Sequence, residues 1–87
     1  MLFMNVYTYE PAQREEIVKM RTEGFSTPEG IKLIGQWSYV SGGRVFTLFE
    51  ADDPLVMLQW SSPWNNFGKL ETFPVIDTEE LIKAITA

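Results

Sequence analysis

The sequence predicts an α+β fold in which four antiparallel strands and two main helices follow one another as βαββαβ, with a short helix appended. Three observations carry that expectation. The first is Gly42-Gly43, set between two runs rich in aromatic and β-branched residues, Ile31 to Ser41 and Arg44 to Glu50. Two glycines accept positive φ at both central turn positions, so the pair marks a β-hairpin with correctly twisted strands. The second is the helical spacing of Ile17, Met20 and Arg21, with Val18 beside them, within a stretch from Ala12 to about Gly24 whose other positions are mostly charged. The third is Ala51-Asp52-Asp53-Pro54, an acidic cap with proline in the first helical turn.

Taken in order, Leu2 to Tyr9 reads as a strand with apolar residues on both sides, Leu2, Met4 and Val6 opposite Phe3, Asn5, Tyr7 and Tyr9. A strand of that composition belongs at the centre of a sheet. Glu10-Pro11 ends it, the helix follows, and Gly24 is its C′ residue. Phe25 to Gly30 is a loop leading into the hairpin. The second helix runs from about Pro54 to Trp60 or Ser61, apolar nearly all round, and Pro63 closes it. The loop from Ser61 to Lys69 holds Trp64 and Phe67, which are expected to fold back over a core. Leu70 to Ile76 is the fourth strand, placed at an edge by Pro74. Asp77 to Ile85 is the terminal helix, with a D-x-x-E start at Asp77 and Glu80. Right-handed crossovers put both main helices on one face of a ferredoxin-like sheet of strand order 4-1-3-2.

The hairpin sorts side chains onto two faces. With a two-residue turn, Trp37 faces Leu48, Gln36 faces Phe49 and Gly35 faces Glu50; a four-residue loop gives the same sorting. Leu33, Gly35, Trp37, Tyr39, Phe46, Leu48 and Glu50 then form a bulky aromatic face, expected to lie under the helices. Ile34, Gln36, Ser38, Val40, Val45, Thr47 and Phe49 form a mixed face, expected to be left bare and to meet a second copy of the chain.

At 87 residues the chain is expected to be one domain spanning 1–87, near the size at which a lone core is marginal. It contains no cysteine, hence no disulfide or thiol chemistry, and no histidine, the commonest general base and metal ligand. Seven Lys and Arg against 12 Asp and Glu give a formal charge of −5, which opposes nucleic-acid binding through phosphates. The opening MLFMNVYTYEP lacks the basic segment and cleavage site of a signal peptide, and no apolar run reaches the ~20 residues of a membrane span. The expectation is a cytoplasmic protein without membrane, metal or cofactor.

Candidate site residues follow from the same geometry. Glu50, opposite Gly35 on the aromatic face, would sit beside apolar walls that raise a carboxyl pKa, so it is the candidate general base; the competing reading has it bonding backbone N–H groups at the strand end. Asn5 and Tyr7 project from the first strand and are candidate ligand contacts, or else a satisfied buried amide and a rim hydroxyl. Trp37, Trp60 and Trp64 are either an aromatic ligand wall or core packing. Asp52-Asp53 is a cap rather than a metal site, and Glu71 is either a second pocket carboxylate or a solvated strand residue.

The MLFM opening, Pro28-Glu29-Gly30 followed by Trp37, the RVFTLFEADDP run from Arg44 to Pro54, Trp60, Trp64, and Glu71, Pro74 and Val75 together resemble the dimeric α/β-barrel superfamily, in particular a family of short, functionally uncharacterised proteins within it. The resemblance covers almost the whole chain and departs at Asn65-Asn66 and Gly68-Lys69, where acidic and apolar residues would be expected. It implies the fold and a homodimer. Other members of the superfamily are small monooxygenases; the haem-degrading ones are similar in an Asn on the first strand, the place of Asn5, but need a His ligand that this chain lacks. Two functions stay open: a homodimeric module binding a small apolar or aromatic ligand, and a cofactor-independent monooxygenase or isomerase with Glu50 as base.

Overall fold

In the computed structural model, which describes residues 1–86, β1 (Leu2–Thr8), β2 (Ile31–Ser38), β3 (Arg44–Ala51) and β4 (Lys69–Pro74) form one antiparallel sheet in the order β2-β3-β1-β4. This is the expected ferredoxin-like order read from the opposite edge, with β1 central and Pro74 on an edge strand, where its missing N–H costs no ladder bond. Between β1 and β2 the chain makes a 3-10 turn at Pro11–Gln13, the helix α1 (Arg14–Lys19) and a π-helical turn at Met20–Gly24. After β3 comes α2 (Pro54–Ser61), capped by Asp53, whose Oδ1 accepts the Leu55 N–H at 2.9 Å. α2 ends at Ser61, as expected. Pro63 stands in the first turn of a 3-10 stretch, Ser62–Asn66, where a missing N–H is harmless, and a turn at Phe67 and Gly68 leads from it into β4. The terminal helix α3 (Thr78–Thr86) starts at Asp77, whose Oδ1 accepts from the N–H of Glu79 at 2.8 Å and Glu80 at 3.4 Å.

The hairpin closes with the Tyr39 N–H donating to the Arg44 carbonyl at 2.9 Å, so its loop is four residues, with Gly42 and Gly43 at φ 84° and 87°. The register therefore lies two residues from the one a tighter turn would set, Trp37 opposite Phe46 and Gln36 opposite Thr47. An even shift preserves the sorting of faces. A bulge at Ile34 does not: Leu33 pairs with Phe49 and Gly35 with Leu48, so Leu33 moves to the side of Phe49, away from Trp37.

The side that the helices cover is the reverse of the expected one. Phe49 is 2% exposed and Asn5, Tyr7 and Thr47 are buried with it, whereas Trp37 is 55% and Tyr39 54% exposed. The mixed face lies beneath α1 and α2, and the aromatic face of Trp37, Phe46, Leu48, Met4 and Val6 is the outer one. An outer face built on Gln36, Ser38, Val45 and Phe49, as the sequence suggested, does not exist. The core proper is Phe49 with Ile31 and Ala51, packed by Phe3, Val56, Met57 and Trp60.

Gly68 stands where β1 and β4 meet closely. A Cβ there would lie 2.6 Å from the Thr8 carbonyl oxygen and 2.7 Å from the Tyr7 ring, while at Gly24 it would meet nothing within 4 Å. Gly68→Ala is expected to destabilise the fold by about 1–3 kcal/mol through overpacking against backbone. Gly24→Ala, at a helical position with room, is expected to be neutral or to stabilise by up to about 1 kcal/mol. Urea denaturation of the two variants checks the pair; equal stability of both would contradict the packing described.

Candidate functional site

The covered face carries its side chains in rows that cross the sheet. Gln36 on β2 faces Thr47 on β3, Thr47 faces Asn5 on β1, and Asn5 faces Thr72 on β4. These four polar residues span the sheet from edge to edge. Two of the three junctions are closed by hydrogen bonds: Gln36 Nε2 donates to Thr47 Oγ1 at 2.9 Å, and Asn5 Nδ2 donates to Thr72 Oγ1 at 3.1 Å. Such pairing is what makes the burial of an amide and a hydroxyl tolerable. The row on one side of it runs Leu33, Phe49, Phe3 and Pro74, of which Phe49 and Phe3 belong to the apolar core.

Over the polar row and the next one, which holds Ser38, Val45, Tyr7 and Leu70, lies a cavity of about 260 Å³ between sheet and helices. Ile17 and Val18 of α1 and Arg21 and Thr22 of the π-helical turn border it from above. A π turn is a local widening of a helix and recurs beside functional sites. The remaining wall is aromatic and continuous. Tyr7 meets Trp64 edge to face at 5.7 Å, Phe25 lies 6.5 Å from Trp64 and 6.4 Å from Trp60, and Trp60 meets Phe49 edge to face at 5.1 Å. Trp60 Nε1 is buried with no hydrogen-bond partner among the described residues. An unpaired buried donor costs about 1–3 kcal/mol.

Of the residues singled out in the sequence, Asn5, Tyr7, Trp60 and Trp64 border this cavity. Trp37 and Glu50 do not. Trp37 folds across Gly35 on the outer face, where a Cβ at Gly35 would lie 2.5 Å from the indole, so the gap foreseen beside Glu50 is filled. Glu50 is exposed, paired across the ladder with Lys32 and Leu2, and no apolar walls surround its carboxylate. The geometry that made Glu50 a candidate base is absent. Arg21, Phe25, Gln36 and Thr47 were missed as site residues. The signal for Arg21 was present: a guanidinium placed in the apolar stripe of the first helix faces the sheet. Among the described residues no three acidic side chains cluster as a metal site would need, and no helix is long and apolar enough to cross a membrane.

The surroundings of the Tyr7 phenol alter its proton affinity. Burial, reinforced by the neighbouring Tyr9, raises its pKa above the ordinary value of 10.0. Its hydroxyl donates to the Trp64 carbonyl at 2.7 Å and ties the 3-10 stretch to β1. A raised pKa means the folded state holds the proton longer than the unfolded chain. That stabilisation is complete below pH ~10 and lost as pH rises through the folded-state value. Tyr7→Phe is expected to cost about 1 kcal/mol at neutral pH, and the gap between wild type and variant should shrink above pH ~10. Urea titrations at neutral and alkaline pH measure it; a gap that widens with pH would contradict the buried phenol.

A search of the curated proteins finds none that matches this chain. Among protein families, the one described as a domain of unknown function, DUF3303, matches residues 1–87. A match over that whole length is decisive: the chain belongs to this family.

Proposed function

We propose that this protein binds a small aromatic ligand in the cavity between helices and sheet. The observation that carries the reading is the union, in one space of about 260 Å³, of a continuous aromatic wall and a polar floor of Gln36, Thr47 and Asn5. Ligand sites are mostly apolar concavities with a few convergent polar groups, and this volume lies just below their usual range of roughly 300–1,000 Å³. A molecule of one or two rings fits that description. Among the described residues no carboxylate or histidine borders the space to serve as a general base, and binding is the reading that its walls support best.

Association of two copies through the outer sheet face, as in the dimeric α/β-barrel arrangement, is favoured by a separate observation. The chain exposes 6415 Å², where a compact monomer of 10.0 kDa exposes about 5,200 Å². The excess, about 1,200 Å², is more than the roughly 800 Å² each partner gives to a standard interface. Its apolar part is Trp37 and Phe73 around half-buried Met4, Val6, Phe46 and Leu48, together with the stripe of Leu81, Ile82 and Ile85 that α3 leaves uncovered. Lys32, Arg44, Glu50 and Glu71 rim the sheet patch, the apolar centre and charged margin of an interface.

A thermal-shift screen of small aromatic compounds is expected to find ligands that quench Trp fluorescence. Asn5→Leu should weaken them about tenfold, the loss of roughly one buried hydrogen bond. Glu50→Gln should leave affinity unchanged; loss of binding in that variant alone would move the site to the outer face and defeat the reading. In sedimentation velocity the wild type should run at twice 10.0 kDa and Trp37→Glu as a monomer, and a monomeric wild type would remove the dimer.

A further inference from the structure

Arg21 is the one cation on the border of the cavity, in a chain with five more acidic than basic side chains. It nevertheless makes no ion pair among the described residues. Its guanidinium carbon lies 4.1 Å from the centre of the Phe25 ring, and its Nε donates to Gln36 Oε1 at 3.3 Å. Gln36 is itself oriented, because its Nε2 is spent on Thr47. The guanidinium is thus held by a ring on one side and a fixed amide on the other. Both terminal amino groups are left without a protein acceptor among the described residues. A planar fork of N–H donors, stacked on an aromatic and unspent at its tips, matches a carboxylate in shape and charge.

We infer that the ligand of this cavity is an aromatic carboxylate, its ring against Phe25, Trp60 and Trp64 and its carboxyl group paired with Arg21. The inference rests on the cavity being a ligand site and adds the ligand's class. The neutral polar row under the ring supplies hydrogen bonds without a competing negative charge, so the carboxylate is drawn to the rim where Arg21 stands. At that position the pair is partly hydrated and sensitive to salt.

The test uses 1-naphthoate, neutral 1-naphthamide and 1-naphthyl phosphate, titrated by calorimetry into wild type, Arg21→Gln and Arg21→Lys, with the indole N–H resonance of Trp60 followed by NMR. Wild type should bind the acid about tenfold or more tighter than the amide. Arg21→Gln should bring the two within about twofold by weakening the acid alone, and Arg21→Lys, a point charge without the fork, should fall between them. Equal affinity for acid and amide in wild type overturns the charged class while leaving the cavity as a site. Tighter binding of the phosphate than of the acid overturns the carboxylate in favour of a phosphate ester. Failure of all three to bind or to move the Trp60 resonance overturns the cavity reading and this inference with it.

Discussion

The structure depends on a matched row of polar side chains placed where a small protein ordinarily puts its driest residues. Gln36, Thr47, Asn5 and Thr72 stand in register across four strands, Thr47 and Asn5 buried beneath the helices and Thr72 at the exposed edge, and each has a neighbour on the next strand. Cross-strand pairs are the unit in which a sheet gains or loses stability, and a row of pairs is lost unit by unit if the register slips. Burial of this face therefore constrains all strand pairings at once. The apolar row of Leu33, Phe49 and Phe3 supplies the hydrophobic driving force, and the polar row demands that it be spent in one register only.

The bulge at Ile34 is part of that constraint. On an unbroken strand, the position following Leu33 on the covered face would be Gly35, with nothing to offer Thr47. The extra residue turns Gly35 outward and brings Gln36 under the helices, where its amide reaches both Thr47 and Arg21. Outward, Gly35 leaves room for the Trp37 indole to lie flat along its own strand. One inserted residue thus serves the polar row on one side and the aromatic surface on the other.

Much of this could be read before any coordinates. The hairpin, the order of elements, the strand order, both helix caps and the edge position of Pro74 all follow from local chemistry: glycine pairs, an Asp before a helix, a proline without a donor. Which face of the sheet is covered does not follow from local chemistry. Trp37, Phe46 and Leu48 look like core by composition, but their surroundings are set by the side on which the crossovers run and by what the helices themselves can cover. The bulge leaves no mark in composition either, since Ile34 is an ordinary strand residue. That is why Asn5, Tyr7, Trp60 and Trp64 lie together as site candidates, while Glu50 and Trp37, placed by reasoning about the face, lie across the sheet from them. Arg21 was legible as an oddity in an apolar stripe and became interpretable only when the π turn set it beside Phe25 and Gln36.

The cavity itself is a consequence of the short roof. α1 has six residues and α2 eight, too little helix to fill the space above four strands, and the Phe25, Trp60 and Trp64 rings close only part of it. A dry apolar void of about 260 Å³ would cost on the order of 6 kcal/mol at ~24 cal/mol per Å³, a large share of the stability of any domain this size. A space floored by Asn5, Thr47 and Gln36 does not carry that penalty, because its floor can be solvated. Polar residues under the helices thus permit a hollow that an apolar face would have to fill, and the hollow is bordered by rings and by Arg21. The hydrogen bonds within the row, Gln36 to Thr47 and Asn5 to Thr72, are made by the protein itself, so the rim and the rings can vary without unsettling the sheet.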